Sequence, residues 1–177
     1  MTRYREISGH QISTLNSKFL NWKGSDHLLG LYFIRNDIQW ISDDAFENAR
    51  SIQRILINSN TLKPIPYRAL LHLGDLHQMY LLHNSITNIP SEVDFGMFTK
   101  LEVIHLYGNK IEKIESNFGN AIELHIENAS QTLDAAGLFN RLPTGSTVYI
   151  SKEWCNESNP IKEVKHIEMI PNCPIGF

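Results

Sequence analysis

Residues 76–84 read LHQMYLLHN, and this stretch decides the fold. Leu76, Met79 and Leu81 stand at the spacing L-x-x-L-x-L, and Asn84 follows three residues after the last of them. By itself so short an apolar run fits a strand and a buried helical segment equally well. Recurrence removes the ambiguity. Asn36, Asn60, Asn84 and Asn109 are separated by 24, 24 and 25 residues, each preceded by the same apolar pattern. Self-similarity at such a period marks a solenoid, whose units bury their apolar faces only by stacking on neighbours.

Working outward, the coil before this stretch carries Ile52, Ile55, Ile57, Asn60, Leu62 and Ile65, then Pro66, Leu70 and Leu73. The one before that carries Leu28, Leu31, Phe33, Asn36, Ile38, Ile41 and Phe46. The coil of Asn84 itself continues through Ile86, Ile89, Pro90, Phe95 and Phe98. The next reads Leu101, Ile104, Leu106, Asn109, Ile111, Ile114 and Phe118. Beyond Phe118 the pattern shortens to Ala121, Leu124 and Ile126, with Ala129 in the asparagine position and Phe139 and Leu142 on the return. Gly145, Val148 and Ile150 begin a further strand with Glu153 in the asparagine position, and Val164, Ile167, Met169 and Asn172 fit a last one. At the other end Ile7, Ile12 and Leu15 form a degenerate first turn with His10 where the asparagine would stand. Residues 19–26 (FLNWKGSD) form a connector whose aromatics cover the open end of the core, since a first repeat has no neighbour to do so.

Within each coil, alternation sends every second strand residue inward. One strand per coil makes the strands parallel, and parallel strands need a crossover, here the segment after the asparagine. Pro66 and Pro90 oppose regular helix there, so the return side is expected to be irregular or built of short 3₁₀ turns. A buried asparagine must satisfy its amide. The column Asn36, Asn60, Asn84 and Asn109 is expected to bond backbone groups in its own and the next coil, as a structural ladder.

The composition narrows the function classes. Apolar residues make up 42% and charged residues 20% of the 177, which is the balance of a folded globular chain. A net charge of -3, with lysines and arginines scattered, carries no footprint for nucleic acid or an anionic membrane. No stretch is apolar for long enough to span a bilayer. The start, MTRYREISGH, lacks the apolar region of a signal peptide, so the chain reads either as intracellular or as a mature or truncated form. Cys155 and Cys173 fall together in the final segment, as a staple of the C-terminal cap or as two reduced thiols. No nucleophile elbow, glycine-rich phosphate loop or H-E-x-x-H is present, so no enzyme, cofactor or metal is expected. The sequons at Asn128 and Asn156 would suit secretion.

The full pattern, L-x-x-L-x-L-x-x-N-x-L-x-x-L-P-x-x-x-F-x-x-L over residues 28–118, resembles the leucine-rich-repeat superfamily, in its 24-residue subtype with a phenylalanine on the convex return. Toll-like receptors, small proteoglycans and insect immune proteins carry that subtype. The segments AFENARSIQRILINSN and PIPYRALLHL are similar to secreted leucine-rich immune proteins of mosquitoes. The resemblance implies an α/β right-handed horseshoe solenoid with a parallel β-sheet on its concave face and an irregular or short-helical convex side. It implies one domain over residues 1–177, with a cap and degenerate repeat at 1–27, central repeats at 28–151 and a C-terminal cap at 152–177. It also implies recognition of a protein partner without catalysis, in an extracellular or immune setting. Members usually carry four-cysteine caps, of which Cys155 and Cys173 would be half. A cytoplasmic scaffold or regulatory subunit, and a structural module that forms homodimers, are the alternatives.

The register gives the concave columns. Tyr32, Leu56, Tyr80, His105, His125 and Tyr149 form one, and Ile34, Asn58, Leu82, Tyr107, Glu127 and Ser151 form the next. Arg54, His77 and His83 are expected on the same face. Aromatic anchors and exposed Ile34, Leu56 and Leu82 point to a protein interface, whereas rings stacked along a sheet also serve simply to stabilise it. His105 and His125 as neighbours raise a metal site only if Glu123 or Glu127 leans in as a third ligand, and no metal is expected.

Overall fold

The computed structural model describes residues 3–130, 132–151 and 167–170. Its strands, in chain order, are β1 (Tyr4–Ser8), β2 (Thr14–Leu15), β3 (Gly30–Ile34), β4 (Trp40–Ile41), β5 (Arg54–Asn58) and β6 (Gln78–Tyr80). They continue as β7 (Asn88–Ile89), β8 (Val103–His105), β9 (Lys113–Ile114), β10 (Glu123–His125), β11 (Ser146–Tyr149) and β12 (Ile167–Ile170). One strand from each coil enters a single eight-stranded sheet in the order β1-β3-β5-β6-β8-β10-β11-β12. Neighbours in it are parallel and step through the coils without crossing.

The core is one stripe of inward side chains. Leu31, Phe33, Ile55, Ile57, Met79, Leu81, Ile104, Leu106 and Leu124 are wholly buried. Phe46, Phe95, Phe118 and Phe139 close the stripe from the return side. That side is made of short pieces, as two prolines and few strong helix formers dictate. It holds the 3₁₀ turns Ser17–Leu20, Ser25–His27 and Phe95–Met97 and the single-turn helices α1 (Tyr67–Leu70) and α2 (Ala135–Phe139). Two small parallel ladders, β2 with β4 and β7 with β9, add backbone bonds there that the spacing does not announce.

Where each strand ends, the chain turns sharply through a residue of positive φ. Gly9, Arg35, Ser59, His83, Gly108 and Asn128 occupy this place in successive coils, with φ between 51° and 76°. Glycine and asparagine adopt it readily, whereas arginine, serine and histidine hold it only because the coil imposes it. After Arg35, Ser59, His83 and Gly108 the next residue is the asparagine of the ladder, and after Gly9 and Asn128 it is His10 and Ala129. Asn60 Nδ2 donates to Phe33 O (3.1 Å) in the preceding coil and Asn58 O (2.9 Å) in its own, while its Oδ1 accepts from Ile38 N (3.1 Å). Asn84 and Asn109 repeat this with Ile57 O, Leu62 N, Leu81 O and Ile86 N. The ladder therefore reaches back to the preceding coil rather than on to the next. The reason is steric: the amide leaves the end of its own strand pointing at the turn already laid down.

The first coil departs from the rest. Arg5 pairs in register with Leu31, so an arginine stands where the other coils place a core residue. Its guanidinium lies 4.7 Å from the centre of the Trp22 ring. Phe19 packs on Phe33 with ring centres 5.6 Å apart. Phe19 and Trp22 of the connector thus pack against the core, with the Arg5 cation over the indole. Cys155 and Cys173, Asn156, Glu153, Val164 and Asn172 lie outside the described residues.

Candidate functional site

Parallel pairing in exact step aligns the concave columns, because each strand is offset from the last by one whole coil. Tyr32, Leu56, Tyr80, His105, His125 and Tyr149 are successive register partners across β3, β5, β6, β8, β10 and β11. All six are half-buried by their neighbours. Ile34, Leu56 and Leu82, expected to be exposed, are also half-buried, because neighbours on both sides shield a residue in a concave column. Arg54 and His83 are exposed.

The rings form a graded stack. Tyr80 and His105 are 5.6 Å apart and tilted by 34°. His105 and His125 lie face to face at 3.9 Å and 6°, and His125 and Tyr149 at 3.8 Å and 3°. Beside the stack, the His83 ring meets Tyr107 edge-on at 4.9 Å. His77 stands one residue before β6 and is half-buried, its Nδ1 2.6 Å from the Asp75 carbonyl, so it takes no part in the ring contacts. Arg54 Nε donates to Gln78 Oε1 at 2.5 Å, and Tyr80 Oη donates to the same oxygen at 3.4 Å. Gln78, which alternation places on the same face as Tyr80, thus joins two of the expected contact residues.

Electrostatics distinguish the C-terminal half of the face. His125, whose side chain is 13% exposed, has Nε2 2.7 Å from Glu123 Oε1 and Nδ1 3.4 Å from Glu127 Oε1. Burial pushes this imidazole down, but the Glu127 and Glu123 carboxylates on its two nitrogens outweigh burial and hold its pKa above the usual value. His105 has no carboxylate bonded to it. Burial, then the adjacent His125, press its pKa down to about 4, so it is a neutral ring at pH 7. Burial raises Glu127, but its bond to His125 prevails and leaves it below the ordinary carboxylate. His105 Nδ1 and Glu127 Oε2 are both buried and without a hydrogen-bond partner. Glu123 and Glu127 sit two residues either side of His125, a spacing visible in the sequence, yet only the strand brings all three onto one face. They lean onto the two ring nitrogens of His125, and among the described residues no three donors are grouped to hold a metal ion.

No family model matches the chain. Bovine osteomodulin is 29% identical over 98 residues, covering 54% of this chain. The leucine-rich-repeat domain of APL1B superposes with a TM-score of 0.52 at 17% identity, over 80% of this chain and 42% of that domain. The fold is therefore a leucine-rich-repeat solenoid. The chain spans 22% of the length of osteomodulin and less than half of the solved domain. No helix among the described residues is long and apolar enough to cross a membrane.

Proposed function

We propose that this chain is a non-catalytic binding module that recognises a protein through its concave sheet. One observation carries the reading: six half-buried side chains, five of them aromatic rings or imidazoles, are held in register across consecutive strands of a rigid sheet. Rings so fixed lose little conformational freedom on contact with a partner, and flat aromatic surface is the usual anchor of protein interfaces. Tyr32, Ile34, Arg54, Leu56, Tyr80, Leu82, His83, His105, Tyr107, His125 and Tyr149 form the contact surface, with His77 at its margin. The likeness of the central segments to secreted immune proteins supports an extracellular setting, immune recognition included.

The test is a double substitution, Tyr80→Ala with His105→Ala, assayed against a partner captured from the source's own fluid. Binding is expected to weaken about a hundredfold, the size of a two-residue hot spot, while the unfolding transition stays cooperative. Unchanged affinity would remove the concave face from the interface. The setting is tested separately by intact mass before and after alkylation. A bridge between Cys155 and Cys173 fits an oxidising compartment, and two free thiols fit the cytosol.

A further inference from the structure

On the return side the backbone ladders are interrupted at one coil. Four and six residues after Asn109, Lys113 N donates to Thr87 O (3.4 Å) and Glu115 N to Ile89 O (2.8 Å) in the preceding coil. Six residues after Asn36, Ser42 N likewise donates to Leu15 O (2.9 Å). The corresponding positions after Asn60 are Pro64 and Pro66, and the sixth after Asn84 is Pro90. Proline has no N–H to donate, so β4 and β7 are not joined through the coil between them. The break lies inside the solenoid, with the β2–β4 ladder on one side and the β7–β9 ladder on the other.

A groove of about 370 Å³ lies at this break, lined by Trp40, Pro64, Pro66 and Tyr67 over the buried Ile41 and Ile65. Trp40 is 53% exposed, and Pro64, its counterpart in the next coil, is exposed too. Tyr67 is held from behind. Its Oη donates to Asp94 O (3.3 Å), and its ring meets Phe98 edge-on at 6.0 Å. Pro66 has φ -77° and ψ 57°, and Tyr67 N donates to Ile65 O (2.7 Å), an inverse γ-turn that leads into α1. The rim carries the exposed Asp43, Arg68 and Glu92. Asp43 and Arg68 face each other at 3.7 Å, whereas among the described residues Glu92 makes no ion pair. Lys63, next to Pro64 in the chain, does not line the groove. One carboxylate is therefore left to attract a cation.

We propose that this groove docks a proline-rich segment of a partner protein in the polyproline II form, with an arginine three residues from its anchoring proline. The surface lies on the return side and is separate from the concave face. Aromatic-lined grooves suit such a segment, because its backbone is set before binding and its prolyl rings pack on the aromatic faces. Its carbonyls, unused within the segment, accept from the exposed Trp40 indole N–H. The charge sets the register. From the coil of Trp40 to the coil of Glu92 is two strand spacings, roughly 10 Å, and three residues of polyproline II rise about 9 Å. A proline beside Trp40 thus brings the arginine against Glu92, where guanidinium and carboxylate bond. A second copy of this chain does not supply the segment, since no arginine in these 177 residues stands three residues from a proline.

The probe is the end-blocked peptide A-P-P-P-A-R-P-A. One control carries glutamine for the arginine, and another carries alanine for every proline. Binding to the full chain is followed by titration calorimetry and by the indole N–H resonance of Trp40, identified as the one lost in Trp40→Phe. The peptide is expected to bind saturably below millimolar concentration and to shift that resonance. Loss of the prolines weakens binding about tenfold or more, and loss of the arginine about threefold or more at low salt. Trp40→Ala, which trims an exposed side chain, weakens binding about tenfold or more while the unfolding transition stays where it was. Glu92→Gln weakens the arginine peptide about threefold and leaves the glutamine control unchanged, which couples the two charges. Tyr80→Ala with His105→Ala leaves the peptide affinity unaltered, so this site and the concave face stand or fall separately. Equal binding of the alanine control, no binding at millimolar peptide, or an unmoved Trp40 resonance overturns the proposal. So does loss of peptide binding in the variant at Tyr80 and His105, which would put the segment on the concave sheet. Concentration-dependent dimers that Trp40→Ala dissolves without peptide would assign the groove to a second copy instead.

Discussion

The two halves of the concave column share one backbone and differ in what their side chains do with it. In the N-terminal half, Tyr32, Leu56 and Tyr80 follow one another at strand spacing, and Leu56 keeps the two tyrosines apart. In the C-terminal half, His105, His125 and Tyr149 close to ring contacts of 3.9 and 3.8 Å. Neighbouring strands run about 4.8 Å apart, so the rings must lean to touch. What orients them is the carboxylate on either side of His125, which fixes that imidazole so that its neighbours can lie flat on both faces. A uniform scaffold thus carries spaced side chains at one end and a close-stacked, titratable cluster at the other.

The largest effect is expected from breaking what both halves share. Asn109→Ala removes a wholly buried amide that bonds Leu81 O, Leu106 O and Ile86 N. It should cost about 3 kcal/mol or more by chemical denaturation, since the backbone groups stay buried without partners. A loss below about 1 kcal/mol would mean that water replaces the ladder.

The contrast between the halves sharpens with His125→Leu set against Tyr80→Leu. The first strands Glu123 and Glu127 beside an apolar side chain and should cost about 2 kcal/mol, whereas the second forfeits a tilted contact and should cost about 1 kcal/mol or less. Equal losses would show that the carboxylate clasp contributes nothing beyond ring area.

The same pair separates in pH. His105 has its pKa lowered to about 4 in the folded chain against about 6.5 unfolded. Its contribution is therefore whole above pH 6.5 and is lost as pH falls towards 4. His125 is shifted the other way, so its contribution is whole below pH 6.5 and is lost as pH rises through its raised value. Stability should peak near pH 6.5, and His105→Leu should flatten the acid side of a melting-temperature profile while leaving the alkaline side. An unchanged acid side would place the acid sensitivity elsewhere.

The smallest effects lie at the positive-φ turn that both halves use. Gly108 has φ of 76°, and a Cβ there would collide with the His83 ring. Gly108→Ala should cost about 1–2 kcal/mol and disturb the His83–Tyr107 contact. Arg35→Gly, at φ of 53° and exposed, should stabilise by at most about 1 kcal/mol, because relief of strain is offset by the freer unfolded chain. A destabilising Arg35→Gly would show that the arginine side chain has a role of its own.

The period of asparagine and the L-x-x-L-x-L spacing determine the solenoid, its parallel sheet, its core and the membership of the concave columns. All of these follow from alternation and from repetition, which are properties of residue order. The turn at Arg35, Ser59 and His83 does not follow, because three unlike residues share one backbone state that none of them prefers. Nor does the place of Arg5, since one charged residue at a core position looks like ordinary surface until a strand partner is known. The clasp of Glu123 and Glu127 on His125, the flat stack beside it and the backward reach of the ladder belong to the tertiary structure alone. They depend on distances of a few ångströms between coils, and those are set by how side chains settle against neighbours roughly 24 residues away along the chain.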